Sequence, residues 1–161
     1  RNKIFIVFSL IASIFGLCAA GNNDTVPQLT EMQLTAICWK ESSNGTDKRN
    51  GDNGNARGPY QIWRGYHKDA LQHTPTIGGT YEDCSDRAYS EKIVQSYMRR
   101  YAPKNASFRE MCMIHNGGPN ILKKKNGNEK ERAAYARAMK YADIVERNLK
   151  SLTEGKTPKN E

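Results

Sequence analysis

Between Thr30 and Trp63 the chain changes character once, and that change limits what it can fold into. Leu34, Ile37 and Cys38 fall at i, i+3 and i+4, and the next position on that face is Glu41, which is the spacing of an amphipathic helix. Thr30 with Gln33 has the pattern of a capping box, so the helix is expected over residues 30–42. Residues 43–57 then carry almost no apolar side chains and are rich in Gly, Asn and Asp, so they cannot extend the buried face. Asn53-Gly54 is a type I′ turn signal, and Tyr60, Ile62 and Trp63 supply a short strand after it. The expectation is a helix that delivers one carboxylate to the edge of a small β-hairpin or three-stranded ribbon.

A carboxyl at the end of an apolar stripe is partly desolvated, which favours its protonated form and suits it to general-acid work. A bland reading competes, because a helix often ends where its stripe runs out into water. Asp52 lies eleven residues on from Glu41 in the polar segment, where solvation and hydrogen bonding keep an Asp ionised. One dry carboxyl and one wet carboxylate is the division of labour used in glycoside hydrolysis. Asp-Asn-Gly is equally an ordinary turn triplet. Asp47 is the rival second carboxylate, though it is only six residues from Glu41 and lies beside a glycosylation sequon.

Downstream, a short helix is expected over about 65–73 and a longer one over 85–101, with Ile93, Val94, Tyr97, Met98 and Tyr101 inward and Pro103 ending it. Ser107 with Glu110 opens another short helix that buries Phe108, Met111 and Cys112 and stops at Gly117-Gly118-Pro119. A last helix over 129–152 turns Ala134, Ala138, Tyr141, Val145 and Leu149 inward. There is no internal repeat. The fold class is α+β, mostly helical, with one small antiparallel element beside the first helix.

Arg1 and Lys3, the apolar run of residues 4–17 and the small residues Ala19-Ala20 read as a secretory signal over residues 1–20. A flexible leader is expected over 21–29, one domain over 30–152 and a disordered tail over 153–161. About fourteen apolar residues are few for a bilayer span, so stable membrane insertion is not expected. Sequons at Asn23, Asn44 and Asn105 fit a secreted glycoprotein. Cys38, Cys84 and Cys112 remain after the signal; one disulfide and one free thiol is the simplest state, with the pair open. Removing Arg1 and Lys3 lowers the formal charge from +8 to +6, which steers a protein toward anionic surfaces. Lys123-Lys124-Lys125 has no interleaved aromatics, so nucleic acid is not the expected partner.

Two other motifs fail. Read as an EF-hand, residues 47–58 would put Arg49 at the third liganding position and Gly58 at the twelfth, where Glu is required. Ser42 and Ser43 lack a nucleophile-elbow context. No metal or other cofactor is expected.

Glu41-Ser42, the Gly/Asn-rich segment and Gly58-Pro59-Tyr60-Gln61-Ile62 resemble the invertebrate-type, destabilase-like lysozymes. Tyr81-Glu82-Asp83-Cys84, residues 92–101 and Ile114-His115-Asn116-Gly117-Gly118-Pro119-Asn120 extend the resemblance over about residues 30–120. It implies a lysozyme-like fold and cleavage of peptidoglycan between N-acetylmuramic acid and N-acetylglucosamine by a secreted monomer. Glu41 matches the general acid, and Asp52 the second carboxylate in a hairpin one residue shorter than usual. Tyr60 and Gln61 match the strand lining the cleft, and His115, Asn116 and Gly117 the loop opposite. The chain is poor in cysteine for that family. It also lacks a serine over residues 54–57, which argues against the isopeptidase activity credited to some members. A lytic transglycosylase, or a non-catalytic cationic glycan-binding antimicrobial protein, are the alternatives.

Overall fold

A computed structural model of the protein describes residues 27–159. The expected signal, the sequon at Asn23 and most of the leader lie outside the described residues. The chain runs α1 (Glu31–Ser42), a one-turn segment α2 (Gly51–Gly54), β1 (Ala56–Arg57), β2 (Ile62–Trp63), α3 (Arg64–His73), α4 (Arg87–Tyr101), α5 (Phe108–Gly117) and α6 (Glu129–Thr153). Short 3-10 turns at Pro75–Ile77, Tyr81–Ser85 and Ile121–Asn126 fill the connections. The architecture is the expected one: mostly helical, with a two-stranded antiparallel sheet.

Local chemistry explains the helix ends. Thr30 and Gln33 cap α1 reciprocally, as do Ser107 and Glu110 for α5, so that each box satisfies two otherwise orphaned N–H groups. Asn128 and Glu131 do the same for α6. Helix α1 closes on Ser43 in the left-handed region, with Asn44 N–H donating to Cys38 O at 3.2 Å, so the chain reverses immediately after Glu41.

The core joins Ile37 and Cys38 of α1 to Ile93, Val94 and Met98 of α4, Met113 and Ile114 of α5, and Ala142 and Val145 of α6. Helices α1 and α6 run side by side, tied by Asn148 Nδ2 donating to Ala36 O at 3.3 Å.

The expected hairpin differs in detail. Asn53-Gly54 is not its turn; the strands pair as Ala56 with Trp63 and Arg57 with Ile62, and residues 58–61 make the reversal. Asp52, Asn53 and Gly54 all take positive φ, at 49°, 57° and 90°, which coils the backbone before β1 instead of folding it into a two-residue turn. Lacking apolar side chains to pair, this segment builds no third strand.

The described parts of the expected leader and tail carry buried residues. Pro27 and Leu29 are buried, and Gln95 clamps Leu29 through Oε1 accepting its N–H at 3.0 Å and Nε2 donating to its carbonyl at 2.6 Å. Beyond α6 the chain turns at Gly155, and Pro158 is buried.

The expected disulfide is absent among the described residues. Cys38, Cys84 and Cys112 are free and fully buried, on α1, a 3-10 turn and α5 respectively. Burial raises all three thiols, that of Cys84 to about 12, so they pack as small apolar groups.

Candidate active site

Glu41 sits one turn past Cys38 on the buried stripe of α1, with its side chain 17% exposed. Tyr141 of α6 donates its hydroxyl to Glu41 Oε1 at 2.6 Å. His115, in the last turn of α5, brings Nε2 to 3.5 Å from the same oxygen. The other ring nitrogen, Nδ1, is 3.1 Å from the Tyr66 hydroxyl. Tyr66, from the first turn of α3, is in turn stacked on Tyr97 of α4, centroids 3.5 Å apart. Helices α5 and α6 therefore meet on the Glu41 carboxyl of α1, with α3 behind His115 and α4 behind Tyr66. Burial holds the Tyr66 and Tyr141 phenols well above their ordinary value, and the Glu41 carboxylate pushes both in the same direction. Both hydroxyls stay protonated and available as donors.

The Tyr141 and His115 contacts both fall on Oε1. Glu41 lines a depression of about 200 Å3 with Ser43, Asp47, Asn148 and Lys159.

The Asp52 side is built differently. Gln61, at φ 47°, is the fastener. Its Oε1 accepts from Gly51 N–H at 2.7 Å, and its Nε2 donates to the carbonyls of Gly58 at 2.9 Å and Arg49 at 3.1 Å. A Cβ on Gly51 would lie 2.4 Å from that same oxygen, so a larger residue there would displace the Gln61 amide from this contact. Asp52 is exposed on this coil, and Trp63 Nε1 donates to its Oδ2 at 3.1 Å. Tyr81 secures the base of the hairpin, its hydroxyl lying 2.8 Å from Ile62 O and 3.0 Å from Asn55 O.

The expected substrate contacts divide. Tyr60 is fully buried and lies in the reversal, outside the two paired strand segments, with its hydroxyl donating to Glu91 Oε1 at 2.9 Å. Gln61 spends its amide on the loop. His115 is nearly buried against Glu41, not on an opposite rim. Asn116 is exposed at the end of α5. A Cβ on Gly117 would meet the Ile121 side chain at 2.5 Å, so this glycine serves local packing. Asp47 is gripped by Arg49 through both carboxylate oxygens, the shortest contact 2.6 Å, which holds its carboxyl at about 2. Ser42 is buried, donating to Pro59 O at 2.8 Å and accepting from Gly45 N–H at 2.9 Å.

Tyr141, Tyr66 and Trp63 contact Glu41, His115 and Asp52 respectively, and the motifs did not single them out for these contacts. Tyr141 is read from periodicity only as an inward residue, and nothing local marks its hydroxyl for a carboxylate a hundred residues earlier.

The destabilase family model matches residues 30–141. No match was found among curated proteins. Among solved structures the chain is similar to one in the crystal structure of Aeromonas hydrophila PliI in complex with Meretrix lusoria lysozyme. The two are 25% identical with a TM-score of 0.48, over 70% of this chain and 89% of that one. The family match spans most of the domain and includes Glu41, the hairpin and the His115 segment, and the chain belongs to the destabilase, or invertebrate-type lysozyme, family.

Proposed function

We propose that the protein is a secreted lysozyme. It hydrolyses the β-1,4 bond between N-acetylmuramic acid and N-acetylglucosamine in bacterial peptidoglycan, with Glu41 as general acid and Asp52 as second carboxylate. Family membership supports a lysozyme-type glycosidase. The observation that carries the finer reading is the asymmetry of the Glu41 carboxyl. Tyr141 donates to Oε1, so a proton carried by the carboxyl resides on Oε2, on a side chain that keeps 17% of its surface exposed. From there it can pass to a glycosidic oxygen as the bond to the anomeric carbon breaks.

If Tyr66 donates to Nδ1, the neutral His115 ring carries its hydrogen on Nε2 and faces Oε1. That arrangement holds the acid in one orientation without competing for Oε2. Asp52 keeps one oxygen outside the Trp63 contact, enough to stabilise positive charge at the anomeric carbon or to activate water. The net positive charge favours binding to anionic walls.

One observation favours a second assignment: Asp47 lines the Glu41 depression and Asp52 does not. Against it, both Asp47 oxygens are committed to Arg49. An isopeptidase reading gains nothing from Ser42, whose hydroxyl is locked into the backbone of the α1 terminus and the Pro59 reversal.

Digestion of purified peptidoglycan followed by mass spectrometry tests the reading. Hydrolysis yields muropeptides with a reducing end and one added water. Anhydro products would identify a lytic transglycosylase, and an undigested wall a binding protein. On the same substrate Asp52→Asn is expected to lose far more activity than Asp47→Asn; the reverse order moves the second carboxylate to Asp47.

A further inference from the structure

Trp63 ends β2 and immediately precedes α3. Ile62 beside it is buried, whereas Trp63 is 50% exposed and is no part of the buried core. A single exposed apolar residue is commonplace, but this one is fixed. Its Nε1–H donates to Asp52 Oδ2 at 3.1 Å, so the polar edge of the indole is tied down while a large part of the ring remains in water. A side chain held this way gives up rotamer freedom without burying its apolar surface, an arrangement that contributes little to folding.

Its position gives the ring a use. Three residues on, within one helical turn, Tyr66 reaches His115, and His115 faces Glu41. The short segment 63–66 thus connects the support of one carboxylate to the support of the other.

We infer that Trp63 is a saccharide platform beside Asp52, taking the apolar face of an N-acetylhexosamine ring in a β-1,4-linked chain while its indole N–H positions Asp52. The inference rests on the glycosidase reading above. A pyranose with equatorial substituents presents axial C–H groups on its faces. These carry partial positive charge and match the electron-rich face of an indole, as edge-to-face aromatic contacts do. Trp combines a large rigid contact area with low conformational cost, the combination that makes it an anchor at binding surfaces. Because the N–H is already committed to Asp52, the ring enters the complex in its bound orientation.

The chain has two tryptophans, so the indole N–H region of a 15N–1H spectrum holds two signals, and Trp63→Phe assigns them. Chitohexaose is titrated into the Glu41→Gln protein, which binds without turnover, with affinity followed in parallel by calorimetry. The expected result is a saturable shift of the Trp63 signal at the calorimetric Kd. Steady-state kinetics of wild-type Glu41 enzymes on soluble peptidoglycan then separate the two roles. Trp63→Ala is expected to raise KM about tenfold. Trp63→Phe keeps a ring but loses the N–H, and is expected to lower kcat severalfold with KM near wild type.

Calorimetric binding with a silent Trp63 signal, or wild-type KM and kcat for Trp63→Ala, overturns the inference and leaves the glycosidase reading standing. No calorimetric binding of the oligosaccharide overturns both. Full activity of Glu41→Gln removes the reading itself, whatever Trp63 does.

Discussion

Around Glu41 the side chain is placed by helix packing, and around Asp52 by hydrogen bonds from two side chains to a coil. The first region draws on α1, α3, α5 and α6, and its polar contacts are closed off within buried surroundings. The second has no apolar side chains of its own over most of residues 43–55, and three successive residues in the left-handed region. Its order depends on Gln61 and Trp63. The difference teaches that one chain can hold one carboxyl by helix packing and another by side-chain hydrogen bonds to a coil. It also implies that the two halves respond differently to damage.

The most severe test lies at the seam between the halves. Gly58 has φ 75°, and a Cβ there would fall 1.7 Å from the Cys84 carbonyl oxygen, which is backbone. Gly58→Ala is expected to cost at least about 4 kcal/mol, a size that marks an exceptional substitution. Urea denaturation measures it; a loss below 1 kcal/mol would show that the hairpin can move independently of the segment leading into α4.

Next in size is Tyr141→Phe. A hydrogen bond to a charged group contributes about 1.5–3 kcal/mol, and its loss leaves Glu41 Oε1 with only the longer His115 contact. Activity is expected to fall at least tenfold while the loop around Asp52 keeps its amide exchange rates. An unchanged kcat would break the claim that helix packing sets the position of the acid.

Gln61→Ala removes three hydrogen bonds from the loop and none from the Glu41 corner. The expected stability loss is about 1–3 kcal/mol by the cost of unpaired backbone groups that are partly solvated, with faster amide exchange confined to residues near 49–58. Equal exchange changes near His115 would show that the two halves are one cooperative unit.

The smallest effect concerns α3, which bridges the halves. Burial holds His67 below its ordinary value of 6.5, against the pull of Asp83 and Glu82. The folded protein binds that proton less readily than the unfolded chain. Stability is therefore full above pH 6.5 and is lost as pH falls through the lower folded value. Tm is expected to drop modestly between pH 7 and 5, and His67→Gln to reduce that drop.

How much of this was legible depended on range. The capping boxes at Thr30 and Ser107 and the buried stripe ending at Glu41 are local patterns, and the helices follow them closely. The hairpin was legible as a polar reversal but not in register, because Asp52 joins Asn53 in the left-handed region and no local rule demands it. Gln61 and Tyr60 carry a family motif whose roles here are structural, one fastening the loop and the other filling the core. The contacts of Tyr141 with Glu41 and of Tyr66 with His115 span 100 and 49 residues, and only the packing of helices brings them together. The three cysteines have the count of a crosslinked chain, yet each is accommodated as core.

The central claim is that Glu41 donates the proton, and kinetics of Glu41→Gln on soluble peptidoglycan test it most directly. Glutamine keeps the shape, and its amide oxygen can still accept from Tyr141, but it has no proton to give to a leaving sugar. The account predicts a fall in kcat of at least about a hundredfold, the lower range for general-acid catalysis, with thermal stability and wall binding retained. Near-wild-type turnover by a folded Glu41→Gln protein would contradict it.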